Sequence, residues 1–317
     1  MVDSMNGKIV GAALVSHHPG LMQCEEFRVL QGAGADSDLI RGYAVLRERI
    51  ARAAADVVVI FDSHWFTTGY HLIDAGAHYQ GVYTSDEMPW YLHGVPYDYK
   101  GHPALALAIE TVSRERRGYH RLVNHPDLSR HYATINLVKQ LRLEHSATPV
   151  LSVSSCQNCD WRHYLSSGES IGEAIRRSGV RAVLLASGAM SHKFNPIDWK
   201  PNHARIFHES NVASTSNMSS DKQAIEFFKQ GRHDLIIDRW QDEYRKLPWE
   251  AFGAHYLQML GAMGGHSCRA QGETLSAYEN ARGTGNIHIW FETQAHLWSE
   301  RSLTASDYAA NSKGLAA

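Results

Sequence analysis

Five short runs of β-branched and apolar residues punctuate the chain: 8–15 (KIVGAALV), 57–61 (VVVIF), 149–153 (PVLSV), 181–186 (RAVLLA) and 287–291 (IHIWF). Each is short, apolar at almost every position and bounded by turn residues, the pattern of a strand covered on both faces. The segments between several of them have helical spacing. "DLIRGYAVLRERIARAAAD" places Leu39, Tyr43, Leu46 and Ile50 three and four residues apart, with charges between them. "HPALALAIETVSRERRG" sets Pro103 where a first helical turn tolerates it and Gly118 where a helix stops. "GESIGEAIRRSG" is a shorter helix leading directly into RAVLLA. Strands alternating with helices predict an α/β fold, a mostly parallel or mixed central sheet flanked by helices. Residues 68–100, rich in aromatics, Gly and Pro, read as an inserted hairpin and loop region forming one wall of a pocket. A single α/β domain is expected over residues 1–298. The tail 299–317 has little apolar content and is expected to be mobile or to dock on a neighbouring subunit.

Three of the apolar runs close on histidine: "KIVGAALVSHHPG", "VVVIFDSHW" and "RAVLLASGAMSH". In an open α/β sheet, ligands bind beyond the carboxyl ends of the strands, where the loops converge. His17 or His18, His64 and His192 are therefore expected on one rim. Histidine is abundant, 20 of 317 residues, and imidazole both titrates near neutral pH and ligates borderline metals. The carboxylate candidate is Glu250 in "RKLPWEAFGAHYLQMLGAMGG". Pro248 suits a first helical turn, and Trp249, Phe252, Tyr256, Leu260 and Met263 would form one buried face. Glu250 would then lie in the first turn, where the helix dipole favours a carboxylate.

Two His and one carboxylate with open positions is the set of non-haem Fe(II) oxygenases, and it also suits Zn²⁺. A first-turn Glu is commonly just a cap, a His after a strand is commonly a loop residue, and no tight local spacing links residues 17 to 250. His192 could serve as a further ligand or as a general acid/base. Ser191 beside it lies in no G-x-S-x-G elbow, which argues against a serine nucleophile. "GTGN" at 283–286 leads into a strand and is not a phosphate cradle.

A formal net charge of −2 gives no general attraction to nucleic acid or anionic membrane. No apolar stretch reaches the roughly 18 residues of a spanning helix. "MVDSMNGKIV" lacks a signal core, so a cytoplasmic location is expected. Four cysteines are too few for a disulfide framework. Cys156 and Cys159 form a C-x-x-C with His163 following, but no second pair completes a zinc site, and they read as thiols at a strand end.

The same motifs, in the same order, resemble the class III extradiol ring-cleaving dioxygenases. That family includes homoprotocatechuate 2,3-dioxygenases and the β subunits of 2-aminophenol 1,6- and protocatechuate 4,5-dioxygenases. The similarity runs over roughly 8–293. "SHHP" is similar to the family's S/T/P-H-x-P and implies His17 as an iron ligand, with His18 in the variable position. "VVVIFDSHW" resembles the strand ending in D-x-H-W and implies His64 as the second ligand. "WEAFGAHYLQMLGAM" implies Glu250 as the third. "RAVLLASGAMSH" resembles A-S-x-x-x-S-H and implies an acid/base role for His192, while "ARGTGNIHIWF" resembles the closing strand.

"GVYTSDEMPWYLHGVPYDYKGHPAL" looks most like the homoprotocatechuate branch. In "RHYATINL", His131 resembles a second active-site His of the protocatechuate type, where other branches carry an acidic residue; this implies a substrate-side or proton-relay role. The resemblance implies Fe(II) as cofactor, with a small aromatic diol and O₂ as partners. It implies opening of a 3,4-dihydroxyphenylacetate-like or other substituted catechol to a muconic semialdehyde. The alternatives are 2-aminophenol- or gallate-type cleavage on the same site, or a zinc-dependent hydrolase-like relative. A homo-oligomer (dimer or tetramer), or pairing with another chain, is also implied.

Overall fold

A strand that is apolar at every position needs cover on both faces. Val57, Val59 and Phe61 pack into one core, and Val58 and Ile60 into a second on the opposite side. The computed structural model describes residues 7–247 and 249–293. The expected domain end at 298, the tail 299–317 and the expected helix start at residue 248 lie outside the described residues.

The strands are β1 (Lys8–Val15), β2 (Val57–Thr67), β3 (His71–Asp74), β4 (His78–Tyr83), β5 (Val95–Lys100), β6 (His120–Val123), β7 (Val150–Cys156), β8 (Arg181–Ser187), β9 (Gly272–Thr274), β10 (Glu279–Ala281), β11 (Thr284–Asn286) and β12 (His288–Phe291). Eight of them form one sheet in the order β6-β3-β7-β2-β8-β1-β12-β9. The central strands β7, β2, β8 and β1 are parallel. At one edge β12 and β9 return antiparallel; towards the other, β3 runs antiparallel to β7. All five apolar runs are strands of this sheet, which is mixed, one of the two forms expected from the alternation of strands and helices. Within the insertion 68–100, β4 and β5 form the expected separate hairpin, whereas β3 joins the main sheet.

The helices are α1 (Glu25–Gln31), α2 (Asp38–Ala53), α3 (Pro103–Glu115), α4 (Tyr132–Gln140), α5 (Trp161–Ser178), α6 (Thr215–Lys229), α7 (His233–Asp238) and α8 (Ala254–Ala262). In α2 the stripe Leu39, Tyr43, Leu46 and Ile50 is buried, and Ser37 caps the start by accepting from Leu39 N. With α4 and the hairpin, α2 covers one face of the sheet; α3, α5 and α8 cover the other. No helix among the described residues is long and apolar enough to cross a membrane.

Every residue of α8 is buried, as expected of a core helix. It meets α5 backbone to backbone through glycine. A Cβ on Gly168 would fall 1.9 Å from the Gln258 carbonyl oxygen, and one on Gly261 2.1 Å from that of Leu165. Gly168→Val should therefore destabilise the protein by at least about 2 kcal/mol, because the obstacle is backbone and cannot rotate away. Urea unfolding checks this; a loss below about 0.5 kcal/mol, the usual range of an uninvolved surface substitution, would contradict the contact. Because α8 follows Glu250 almost directly, the same contact fixes where that carboxylate sits.

Candidate metal centre

The carboxyl ends of β1, β2 and β8 lie side by side, with β8 between the other two. Beyond β1, the Ser16 hydroxyl accepts from Ile287 N at 3.0 Å, and Asn136 Nδ2 donates to the His17 carbonyl at 2.7 Å. These bonds fix the backbone of His17, whose side chain is buried. His18 has another role: its Nδ1 accepts from Gly20 N at 3.1 Å and caps a short turn at Pro19–Met22. Desolvation and the neighbouring His17 and His192 push the His18 imidazole down to about 3, so it is neutral. Of the two adjacent imidazoles, His17 joins the cluster.

The pairing of β2 with β7 slips between Phe61 and Phe66. Asp62 builds that irregularity. Its Oδ1 accepts from His64 N at 2.8 Å and Trp65 N at 2.9 Å, and its Oδ2 from Thr134 Oγ1 at 2.6 Å. The bulge re-aims His64 out of the strand and towards the site. This is the physical work of the Asp in D-x-H-W.

Glu250 departs from the expectation. It does not occupy the first turn of a helix, and no helix dipole holds it. Residues 251, 252 and 253 are left-handed, with φ of 49°, 56° and 72°, and α8 begins only at Ala254. Phe252, expected on the buried face, is 65% exposed. Two non-glycine residues in this region cost about 1–3 kcal/mol each, strain that persists where the surroundings over-determine the backbone. Here Gly253 is needed, because a Cβ would lie 2.2 Å from the Trp240 ring. The carboxylate is held by hydrogen bonds: Ser63 Oγ donates at 2.7 Å to Oε1, and Ala189 N at 2.5 Å to Oε2.

The three side chains converge. One nitrogen or oxygen from each of His17, His64 and Glu250 lies within 4.8 Å of the others. Glu250 Oε1 is 3.1 Å from His17 Nε2 and 2.9 Å from His64 Nε2. The outer ring nitrogens are engaged: His17 Nδ1 lies 2.8 Å from Ser187 Oγ, and His64 Nδ1 3.0 Å from a Glu87 oxygen. Both Nε2 atoms therefore face one point, the orientation that supporting hydrogen bonds give to metal-bound imidazoles. Burial alone would raise the Glu250 carboxyl, yet the charges of His17 and His192 and hydrogen bonds from His17 and His64 hold it well below the usual carboxylate range. Burial likewise favours a neutral His64 ring, but Glu250 and Glu87 outweigh it and push the imidazole up to about 10. Both directions say that positive charge belongs here. Two nitrogens and a buried carboxylate suit a divalent, borderline cation. Among the described residues this is the one such group of His, Cys, Asp or Glu side chains.

Glu87 comes from the loop of the β4–β5 hairpin, and no sequence pattern singled it out. Glu87→Gln should weaken divalent-metal binding by roughly 10-fold, the lower end of what losing such a partner costs. Anaerobic calorimetric titration with Fe(II) measures it; unchanged affinity would show that Glu87 does not orient His64.

His192 lines a cavity of about 580 Å³ that opens onto His64 and Glu250 and is walled by Trp161, Trp249 and Phe252. The segment before His192 is pinned from beneath, as Ser191 N and Oγ donate to the buried Asp221 at 3.1 and 2.6 Å. Burial pushes the Asp221 carboxyl up to about 6 despite these bonds. His131 is not among the cavity-lining residues; it stacks on Trp65, with ring centroids 5.8 Å apart. Its neighbour Tyr132 is the residue that reaches the cluster, with Oη 2.6 Å from His64 Nε2. The available signal was the same stretch, "RHYATINL", read one residue early. Trp90, Tyr91 and His93 do not line the cavity. Cys159 does, and burial followed by the nearby Cys156 pushes its thiol up to about 12. Both cysteines of the C-x-x-C are free.

A family model for the catalytic LigB subunit of aromatic ring-opening dioxygenase matches residues 11–292. The 3,4-dihydroxyphenylacetate 2,3-dioxygenase of Escherichia coli is 29% identical over 191 residues, 59% of this chain and 67% of that protein. The 2-aminophenol 1,6-dioxygenase beta subunit of a Pseudomonas species is 27% identical over 317 residues, 92% of this chain and 97% of its own. An uncharacterized protein of Escherichia coli K12 shares the fold, with a TM-score of 0.57 over 89% of this chain and 99% of that one at 14% identity. A match that spans the sheet from β1 to β12 shows that the chain belongs to the family of catalytic LigB subunits of aromatic ring-opening dioxygenases, and that it is a ring-cleaving dioxygenase.

Proposed function

We propose that this chain is an Fe(II)-dependent extradiol dioxygenase that opens a catecholic ring with O₂ beside its two oxygens, giving a muconic semialdehyde. The observation carrying this reading is the convergence of His17 Nε2, His64 Nε2 and a Glu250 oxygen, with His64 and Glu250 also lining an aromatic-walled cavity. Fe(II) bound by these three would supply a Lewis acid that acidifies the ring hydroxyls and a redox centre for O₂. The chain's own residues do the rest. The cavity admits a planar ring against His64 and Glu250, with Trp161 and Trp249 excluding water. The His192 imidazole takes a phenolic proton as the ring docks and returns it as the ring opens. Burial pushes the Tyr132 hydroxyl well above its ordinary value, so it stays protonated, and with a metal on His64 Nε2 its O–H is free to donate to a ring oxygen of the substrate. We assign the substrate-side role to Tyr132 ahead of His131.

The aminophenol relative's coverage of 92% of this chain favours 2-aminophenol as a second substrate reading. Because that relative is a beta subunit, we also propose that this chain works as an oligomer, which light scattering of the purified protein tests. For the activity, protein purified without oxygen and loaded with Fe(II) is offered 3,4-dihydroxyphenylacetate, gallate and 2-aminophenol. Oxygen uptake and a yellow product are expected with at least one. A fully iron-loaded sample that consumes no oxygen with any of them refutes the reading.

A further inference from the structure

We infer that the cavity is built for a ring carrying an anionic substituent, and that Arg245 and Lys246 form the subsite that receives it. This deepens the ring-cleaving reading and rests on it. These two basic residues, consecutive in the chain and both exposed, line the cavity wall five and four residues before Glu250. Their backbone is fixed, since Arg245 N donates to the Trp240 carbonyl at 2.7 Å and Lys246 N to that of Glu243 at 3.0 Å. The wall that ends in the proposed ligand therefore begins in two cations.

The charge balance of the cavity points to an anion. Its lining contains two carboxylates, Glu250 and Asp160. Glu250 belongs to the cluster with His17 and His64. Asp160 caps α5, accepting from Arg162 N at 2.9 Å and His163 N at 3.2 Å, with His163 Nδ1 2.9 Å away. Among the described residues neither Arg245 nor Lys246 is paired with an acid. Two adjacent like charges without a counterion repel each other, and a carboxylate between them relieves that. Trp161, Trp240 and Leu247 line the same space, so a ring can lie against apolar surface while its anionic substituent reaches the two exposed cations. A guanidinium offers a planar fork matched to a carboxylate, and the ammonium adds a point charge. A neutral ring such as 2-aminophenol leaves both cations unanswered.

The test compares two catechols of nearly equal shape, 3,4-dihydroxyphenylacetate and 4-ethylcatechol. Binding to the metal-loaded protein is followed without oxygen by quenching of the cavity tryptophans, and ring cleavage by oxygen uptake. The anionic ligand should bind roughly tenfold or more tighter, the size of a charge-assisted hydrogen bond, and the ratio should shrink as salt is raised. The double variant Arg245→Gln/Lys246→Gln should bring the ratio close to one, and Arg245→Lys should keep part of it. Equal affinity in the unaltered protein, or a ratio that survives the double variant, overturns the subsite while ring cleavage of both compounds stands. Failure to bind or cleave either compound overturns the catechol reading, and the subsite with it.

Discussion

Glu250→Ala is expected to lose bound iron and ring-cleaving activity together. The side chain is one of three donors that meet at one point, and the only one of them with a negative charge. Losing a mere supporting partner of a metal ligand costs roughly 10–100-fold in affinity; losing the charged ligand itself should cost more than that. Alanine also strands the Ser63 hydroxyl and the Ala189 N–H, which donate to the carboxylate. Each buried orphan costs about 1–3 kcal/mol, so the alanine variant should melt earlier for a reason separate from the metal. Glu250→Gln separates the two effects. It keeps the volume and one acceptor, removes the charge, and should fold almost normally while still failing to hold iron. Metal analysis, oxygen uptake and thermal unfolding on both variants read these outcomes, and a Glu250→Gln protein with a full complement of iron would remove Glu250 from the ligand set.

That carboxylate also marks where sequence pattern stops being sufficient. The strands were legible because their runs are short, β-branched and apolar on both faces, and α2 because its stripe is regular. The rim position of His17 and His64 follows from strand ends in a parallel sheet, needing no tertiary detail. The conformation at Glu250 needs such detail. Trp249 through Met263 reads as a helical stripe, but residues 251–253 are left-handed, and the Trp240 ring against Gly253 leaves no room for a side chain there. Trp240 comes from a different segment, and no local propensity records that contact. Glu87 was invisible for the same reason and Tyr132 was missed by one residue: each acts on His64 across a gap in sequence, 23 residues in one case and 68 in the other. The early start of α5 at Trp161 rests on Asp160 and His163 capping each other, a box in which His stands where Glu or Gln is the usual partner.

His192→Phe should retain iron and lose turnover by about 10²–10⁴-fold, the usual worth of one positioned acid/base group. The ring lies in the cavity wall and outside the three-donor group, so its removal leaves the three proposed metal ligands in place. Its backbone is held independently of the imidazole. Ser191 is fastened to Asp221, and Gly285 N donates to the Ser191 carbonyl at 2.8 Å. A phenyl ring at this position can settle against Phe194, whose ring already meets the imidazole edge-on. The variant should therefore fold, load Fe(II) and bind a catechol, yet turn over slowly. His192→Ala adds a sharper readout, since free imidazole diffusing into the space should restore part of the rate if a proton carrier is what was lost. Restoration by imidazole would not follow from a structural role. Iron missing from the His192→Phe protein would instead make this residue a fourth ligand. The metal would then have fewer open positions than a chelating ring and O₂ together require.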